Sequence, residues 1–307
     1  MSISKALTIA GSDSGGGAGI QADLKTFQEL GVYGMSAITA VTAQNTLGVQ
    51  GVYPMSAEAI ERQLASIGED LTPDALKTGM LFSSEIIRTV AASIQTFKWD
   101  RIVVDPVMIA KGGASLLQQE AIDTMTRVLL PLATVVTPNI PEAEALSGMR
   151  IADGASRAEA AKRIHQYGCK NVMIKGGHDE GNTEYATDLL YDGETFTEFT
   201  SRRLATRHTH GTGCTFAAAI TSGLAQGLSV QESFQLAKRF IQAAIAEPLH
   251  IGGGHGPTNH WAYQLRCREI VNGVAAEDEA LIQSRLSKVC DDADTGSDFY
   301  VATRGVK

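Results

Sequence analysis

The stretch Arg101-Ile102-Val103-Val104-Asp105-Pro106-Val107 decides the fold. Its apolar, β-branched run is too short for a helix and does not alternate with polar residues, so it reads as a strand buried on both faces. Asp105-Pro106 ends it, because proline has no N–H to give a ladder and restrains the residue before it. The pattern recurs in Thr134-Val135-Val136, stopped by Thr137-Pro138-Asn139, and in Asn171-Val172-Met173-Ile174, stopped by Lys175-Gly176-Gly177. Upstream, residues 6–10 form a short strand that runs into a glycine-rich loop at 11–19. Residues 35–42 and 75–78 read as strands, and shorter β-rich pieces lie at 187–191 and 195–199. Helical spacing appears in Ile20, Leu24, Phe27 and Leu30, then at 58–67, from 143, at 157–167, 215–226 and 230–247. Buried strands alternating with helices predict a mostly parallel central sheet with helices on both faces. Ligands of such sheets bind beyond the carboxyl ends of the strands, where Asp13, Asp105, Asn139 and Lys175 fall.

The bulk composition narrows the function classes. The chain has 307 residues, 44% of them apolar and 20% charged, with a net charge of −8. Such a chain buries a substantial core, and its acidity argues against a nucleic-acid or anionic-membrane surface. Cys169, Cys214, Cys267 and Cys290 are scattered without metal-ligand spacing. No apolar run reaches the roughly 18 residues of a spanning helix. A reduced, cytoplasmic protein is expected.

The chemistry concentrates in His208-Thr209-His210-Gly211-Thr212-Gly213-Cys214-Thr215, directly before an Ala-rich helix. A glycine turn at a helix N-terminus leaves backbone N–H groups pointing outward at the positive end of the helix dipole, which is an anion site. A thiol there is placed among the same donors. The loop at 11–19 fits neither G-x-G-x-x-G nor a Walker A motif; it lets backbone approach a small substrate. Asn139 and Glu142, at a strand exit, suit phosphate and Mg²⁺ or simply a helix cap. Lys175 is placed to neutralise a transferring phosphoryl group or is a surface lysine. His208 and His210 beside Cys214 raise a Cys-His hydrolase as an alternative.

Together these segments resemble the ribokinase-like superfamily, specifically the hydroxymethylpyrimidine/phosphomethylpyrimidine kinases of thiamine synthesis. The resemblance runs from Lys5 to about Trp261 through Ala6-Leu7-Thr8-Ile9-Ala10-Gly11-Ser12-Asp13, Thr42-Ala43-Gln44-Asn45-Thr46, Lys77-Thr78-Gly79-Met80, Val104-Asp105-Pro106-Val107, Lys175-Gly176-Gly177-His178, His210-Gly211-Thr212-Gly213-Cys214 and Gly254-His255-Gly256-Pro257. It implies a three-layer α/β kinase domain over residues 1–263 with a small lid, a homodimer, and ATP and Mg²⁺ as cofactors. Residues 264–307, in which only 280–289 looks helical, lie outside the resemblance and read from their own composition as an appendage. It implies that Asp23 and Gln44 contact the pyrimidine, with Gly11, Ala18, Met80 and Val107 shaping its pocket. Asp105, Asn139 and Glu142 would serve phosphates and metal. Gly176, Gly177, His178, Asp179, Glu180, Asp188 and Lys238 would lie along the nucleotide. Gly211, Thr212, Gly213 and Cys214 would form the catalytic anion hole with Lys175. In most of the superfamily an Asp stands where this chain has Cys214, which agrees with a Cys-containing branch. Pyridoxine/pyridoxal kinase, in which such a Cys captures the aldehyde as a hemithioacetal, is the second reading within that branch.

Overall fold

The computed structural model of the chain describes residues 2–108, 116, 119–177, 184–274 and 299–305. The short apolar runs form its centre. β1 (Lys5–Asp13), β4 (Ala75–Thr78), β5 (Ile102–Val104), β6 (Val135–Val136) and β7 (Val172–Ile174) lie in parallel, and β2 (Tyr33–Asn45) pairs parallel with β1 on its other side. Successive side chains of a strand point to opposite faces. Leu7, Ile9, Val104, Val136 and Ile174 therefore enter one apolar core, while Ala6, Val103, Val135 and Met173 enter another. The first core is covered by α2 (Ala57–Asp70), α3 (Ser84–Thr96), α4 (Gln119–Thr124), α5 (Ile140–Ser147) and α6 (Gly154–His165). The second is covered by α1 (Gly19–Glu29), α7 (Thr212–Ala225), α8 (Val230–Ala246) and α9 (Ala262–Val274). Each fully buried Leu, Ile or Phe in these layers contributes about 1.5–3 kcal/mol. The three-layer sandwich is as the strand pattern predicts.

Antiparallel strands extend both edges. β3 (Gly48–Pro54) pairs with the far half of β2 to make the small lid, and β8 (Tyr185–Tyr191), β9 (Thr195–Arg202) and β10 (Phe299–Gly305) continue the sheet past β7. Neither β3 nor α3 was legible in the apolar pattern. β3 is half-exposed along its whole length, and α3 follows directly on another loop, its start marked by Ser83 accepting from the Ile86 N–H. β1 and β2 run further than their apolar runs suggest, because each continues through a bulge, between Ala10 and Ser12 and between Ala43 and Gln44. Bulges re-aim side chains next to active sites. The boundary expected at 263/264 falls inside α9, where Gln264 Nε2 donates to the Glu29 carbonyl at 2.6 Å and Arg266 pairs with Glu247 at 3.0 Å. The helix expected at 280–289 lies outside the described residues.

His260 joins the second core to α7, its Nε2 3.0 Å from Thr215 Oγ1. Burial pushes its pKa down to about 4. A histidine of the unfolded chain titrates near 6.5, so this stabilisation is complete above that pH and is lost as pH falls through 4. Urea unfolding of wild type should lose about 2 kcal/mol between pH 6.5 and 5 that His260→Asn does not lose; equal losses would exclude His260 as the source.

Candidate active site

A cavity of about 830 Å³ opens beyond the carboxyl ends of β1, β4, β5, β6 and β7 and against the N-terminus of α7. That terminus is its middle. Gly211 precedes α7 with φ of 82°, a left-handed conformation that glycine adopts freely, and a Cβ there would collide with the Gly17 carbonyl. No side chain caps the helix; Thr212 turns its hydroxyl back to the Thr209 carbonyl at 2.7 Å. The Thr212 N–H also returns to the Thr209 carbonyl, at 3.3 Å, which leaves the N–H groups of Gly213 and Cys214 for the cavity that Gly211, Thr212, Gly213 and Cys214 line. Lys175 reaches the same place from β7 and bonds Asp105 Oδ1 at 2.9 Å. A Cβ on Gly213 would stand 3.5 Å from Lys175 Nζ and 3.8 Å from Asp105 Oδ2, so cation, carboxylate and helix terminus adjoin.

The Cys214 thiol lies between two helix starts, with the Gly19 N–H directed to its sulfur. Burial nevertheless pushes its pKa up to about 11, against the pull of the Lys77 ammonium. The resting group is a neutral thiol. Lys77 itself is fully buried and bonds Asp23 Oδ1 at 2.9 Å. Burial works against its charge, and Asp23, Cys214 and Asp105 together hold it above the usual lysine range. This corrects the expectation for Asp23. Its carboxylate does not line the cavity but is wholly engaged beneath it by Lys77 and by the Thr8 hydroxyl at 2.6 Å.

Asn139 and Glu142 cap α5 reciprocally: Asn139 Oδ1 accepts from the Glu142 N–H at 2.9 Å, and Glu142 Oε2 accepts from the Asn139 N–H at 2.8 Å. Both also line the cavity, so the cap and the ligand-facing role coexist. Burial pushes the Glu142 carboxyl up to about 7, with Lys175 pulling the other way.

At the far end, Lys238 on α8 bonds Asp188 Oδ2 at 2.7 Å, and Asp188 Oδ1 accepts from the Gly176 N–H at 2.7 Å. Asp188, Lys238 and Gly177 line the cavity, whereas Gly176 is tucked against the Thr187 backbone behind it. His178, Asp179 and Glu180 lie outside the described residues. Arg203, not singled out in the sequence, lines this end and donates to the Gly177 carbonyl at 2.7 Å. Nothing in its surroundings in sequence marks it.

At the near end the cavity is lined by Gly11, Ala18, Gln44, Met80 and Val107. Met80 covers Gly11 so closely that a Cβ at position 11 would strike its methyl. Sequence reasoning assigned no role here to Asp13 and weighed His210 only as a partner of the thiol; instead His210 Nε2 lies 2.8 Å from Asp13 Oδ2. The strand-end position of Asp13 was the available signal.

A desolvated lysine and an open helix terminus are suited to neutralise the charge of a transferring phosphoryl group, and the cavity extends to either side of them. Fold and site are those of a small-molecule kinase. The chain belongs to the phosphomethylpyrimidine kinase family, whose model matches residues 13–259. It is 55% identical over 264 residues to the hydroxymethylpyrimidine/phosphomethylpyrimidine kinase of Bacillus subtilis, covering 86% of this chain and 97% of that one. Identity to the Haemophilus influenzae enzyme of the same name is 56% over 264 residues, covering 85% and 98%. Among solved structures, the ADP complex of Bacillus subtilis pyridoxal kinase superposes with a TM-score of 0.80 at 47% identity, covering 86% of this chain and all of that one.

The high pKa of Cys214 sets its reactivity. Iodoacetamide labelling of that residue, followed by peptide mass spectrometry, should accelerate about tenfold per pH unit from 7 to 10 without a plateau. Cys169, 1% exposed and pushed up to about 12 by burial, should stay unlabelled. A plateau for Cys214 near neutral pH would show a stabilised thiolate instead.

Proposed function

We propose that this enzyme transfers the γ-phosphoryl group of ATP to the hydroxymethyl oxygen of 4-amino-5-hydroxymethyl-2-methylpyrimidine, then phosphorylates the monophosphate in turn, as a step of thiamine synthesis. The observation that carries the reading is the order of groups along one cavity: the Gln44 amide, the Gly211–Cys214 helix terminus with Lys175, then the Lys238–Asp188 pair. An amide both donates to and accepts from an aminopyrimidine edge. With that edge anchored at Gln44, the hydroxymethyl group is directed to the α7 terminus, and ATP occupies the end beyond Lys175.

Lys175 and the α7 N–H groups take up charge on the phosphoryl group as it passes between oxygens, and holding the two reactants in line supplies much of the rate. Cys214 touches the attacking hydroxyl. With its pKa near 11 it is a hydrogen-bonding and positioning group in the resting enzyme rather than a standing base. Mg²⁺ fits the donor set. Glu142 carries a desolvated carboxylate whose charge burial opposes, and among the described residues no cluster of three or more His, Cys, Asp or Glu forms a complete metal cage. That is the requirement of an ion held by one or two carboxylates, water and phosphate oxygens. Glu142, with Asp105 beside it, would hold the ion, which when bound neutralises the phosphate oxygens.

Pyridoxal is the second reading, favoured by the 47% identity to a pyridoxal kinase structure and by a thiol on the cavity wall. The assembly is proposed to be a homodimer, since the lid strands expose Val41, Leu47 and Tyr53 together. Among the described residues no helix is long and apolar enough to cross a membrane, and a cytoplasmic location is proposed.

ADP release with Mg²⁺-ATP should be rapid with the hydroxymethylpyrimidine and its monophosphate and slower with pyridoxine or pyridoxal. Turnover confined to the pyridoxine-type compounds would keep the kinase and replace the substrate. Cys214→Ala should lower kcat by about 100-fold, the low end for a group at a proton-transfer site, with little change in the KM for ATP; an unchanged kcat would remove the thiol from the reaction.

A further inference from the structure

The side-chain amide of Gln44 has two orientations that differ by half a turn, and counting protons around it selects one. The Asp13 carboxylate, 2% exposed, accepts from the N–H groups of Gly15, Gly17 and Ala18 at 2.8, 3.1 and 2.9 Å. Burial would raise its pKa, but these donors and His210 hold it below the usual carboxylate range, so it is an anion. His210 Nε2 stands 2.8 Å from its Oδ2, and an anion is faced by a proton; Nε2 therefore carries N–H. Glycine at position 17 makes room for that ring, since a Cβ there would lie 2.6 Å from His210 Cδ2.

His210 Nε2 is also 3.4 Å from Gln44 Nε2, while Gln44 Oε1 is 2.9 Å from Thr42 Oγ1. Two donors cannot bond each other. The half-turn of the amide that exchanges its nitrogen and oxygen replaces that clash of donors with an acceptor 3.4 Å from an N–H whose main partner is Asp13 Oδ2 at 2.8 Å, a weak second share of the same proton. The other end of the amide favours the same turn. The Thr42 hydroxyl has one proton for two acceptors, the Ser12 carbonyl and Gln44 Oε1, each 2.9 Å away; with the amide turned, the proton goes to Ser12 and both contacts become hydrogen bonds. Thr42 Oγ1 is left as an acceptor, which the Gln44 NH₂ satisfies. Ser14 fixes the backbone of the same residue, its hydroxyl accepting from the Gln44 N–H at 2.9 Å and donating to the Gln44 carbonyl at 2.7 Å.

We infer that Asp13, His210 and Thr42 are positioning residues that determine specificity: they lock the Gln44 amide with its oxygen on the His210 side and its nitrogen on the Thr42 side. One lone pair and one N–H remain for the ligand, in that fixed order. Resting on the aminopyrimidine reading, the exocyclic amine of the substrate donates to Gln44 beside the anion hole, and the adjacent ring nitrogen accepts on the lid side. A pyridine ring without that donor–acceptor pair leaves the locked amide unsatisfied, which is the discrimination.

The test has two arms on the full-length enzyme. In ¹⁵N-histidine NMR, with His210 assigned by its loss in His210→Gln, the lock requires a protonated Nε2. A proton on Nδ1 alone would overturn the proposal. In kinetics, the aminopyrimidine is compared with its analogue carrying hydrogen in place of the amino group. Wild type should prefer the aminopyrimidine by about 100-fold in kcat/KM, and His210→Gln, which keeps a donor at the same distance along the side chain, should retain most of that. His210→Leu and Thr42→Val should lose most of the preference through the KM of the pyrimidine, with the KM for ATP little changed. Retention of the full preference in both would overturn the lock. If wild type phosphorylates neither pyrimidine the substrate reading fails, and the NMR arm still decides the proton arrangement.

Discussion

One steric constraint organises the catalytic end of the sheet: the Gly211 turn presses on the Gly17 carbonyl with no room for a side chain between them. Gly17 belongs to the loop that leaves β1, and Gly211 begins α7, so the contact fastens the acceptor end of the cavity to the anion hole. Gly211 must be glycine for the backbones to meet, and a side chain on Gly17 would strike the His210 ring and Pro257. The hydrogen bonds on either side depend on this approach, including the Asp13 carboxylate on the 15–18 turn and on His210. An open helix terminus is a weak anion site when mobile and a strong one when held in place, since preorganised dipoles need no rearrangement as charge develops.

Three buried lysine–aspartate pairs run through the same region: Lys77 with Asp23, Lys175 with Asp105, and Lys238 with Asp188. Such pairs are poor stabilisers, because desolvating two charges offsets most of their attraction. Their value here is positional. Lys175 and Lys238 stand on the cavity wall, each aimed by a carboxylate that is itself tied down. Lys77 and Asp23 carry the same chemistry one layer deeper, with no cavity exposure, and there the positive charge bears on Cys214 from below. A carboxylate in that position shapes the field of the site without touching what binds in it.

The contrast with Asp23 shows where the sequence was legible. The valine-rich strands announced themselves, because a strand buried on both faces admits no polar interruption and its exit is marked by the first one. Asp105, Asn139 and Lys175 were found that way, and the cavity contains all three. Asp23 sits inside a helix, where spacing tells which face is inward but not whether that face meets a ligand or a lysine from the next strand. Thr8 and Lys77, its partners, lie on strands 15 and 54 residues away. His210 was visible as a residue and misplaced as a partner, since its attachment to Asp13 spans 197 positions. β3 was missed for a related reason: it meets the interior only through Val52, against a small cluster of Ala40, Met80 and Leu116, so no apolar period betrays it.

That uneven legibility follows the division of labour in the fold. The groups proposed to handle phosphate stand at the ends of β5, β6 and β7 and at the start of α7, on elements set in two continuous cores. The groups proposed to meet the acceptor stand past bulges in β1 and β2, on strands that have outrun those two cores and are held by side-chain hydrogen bonds. Elements with little buried apolar contact are the ones whose conformation a few substitutions can reset. A family built this way can exchange one flat heteroaromatic alcohol for another at the lid while the transfer chemistry stays anchored in the sheet. Kinases of a pyrimidine and of pyridoxal are both among the relatives of this chain, and the proposed lock places the physical boundary between the two activities in the protons around Gln44 rather than at the site of transfer.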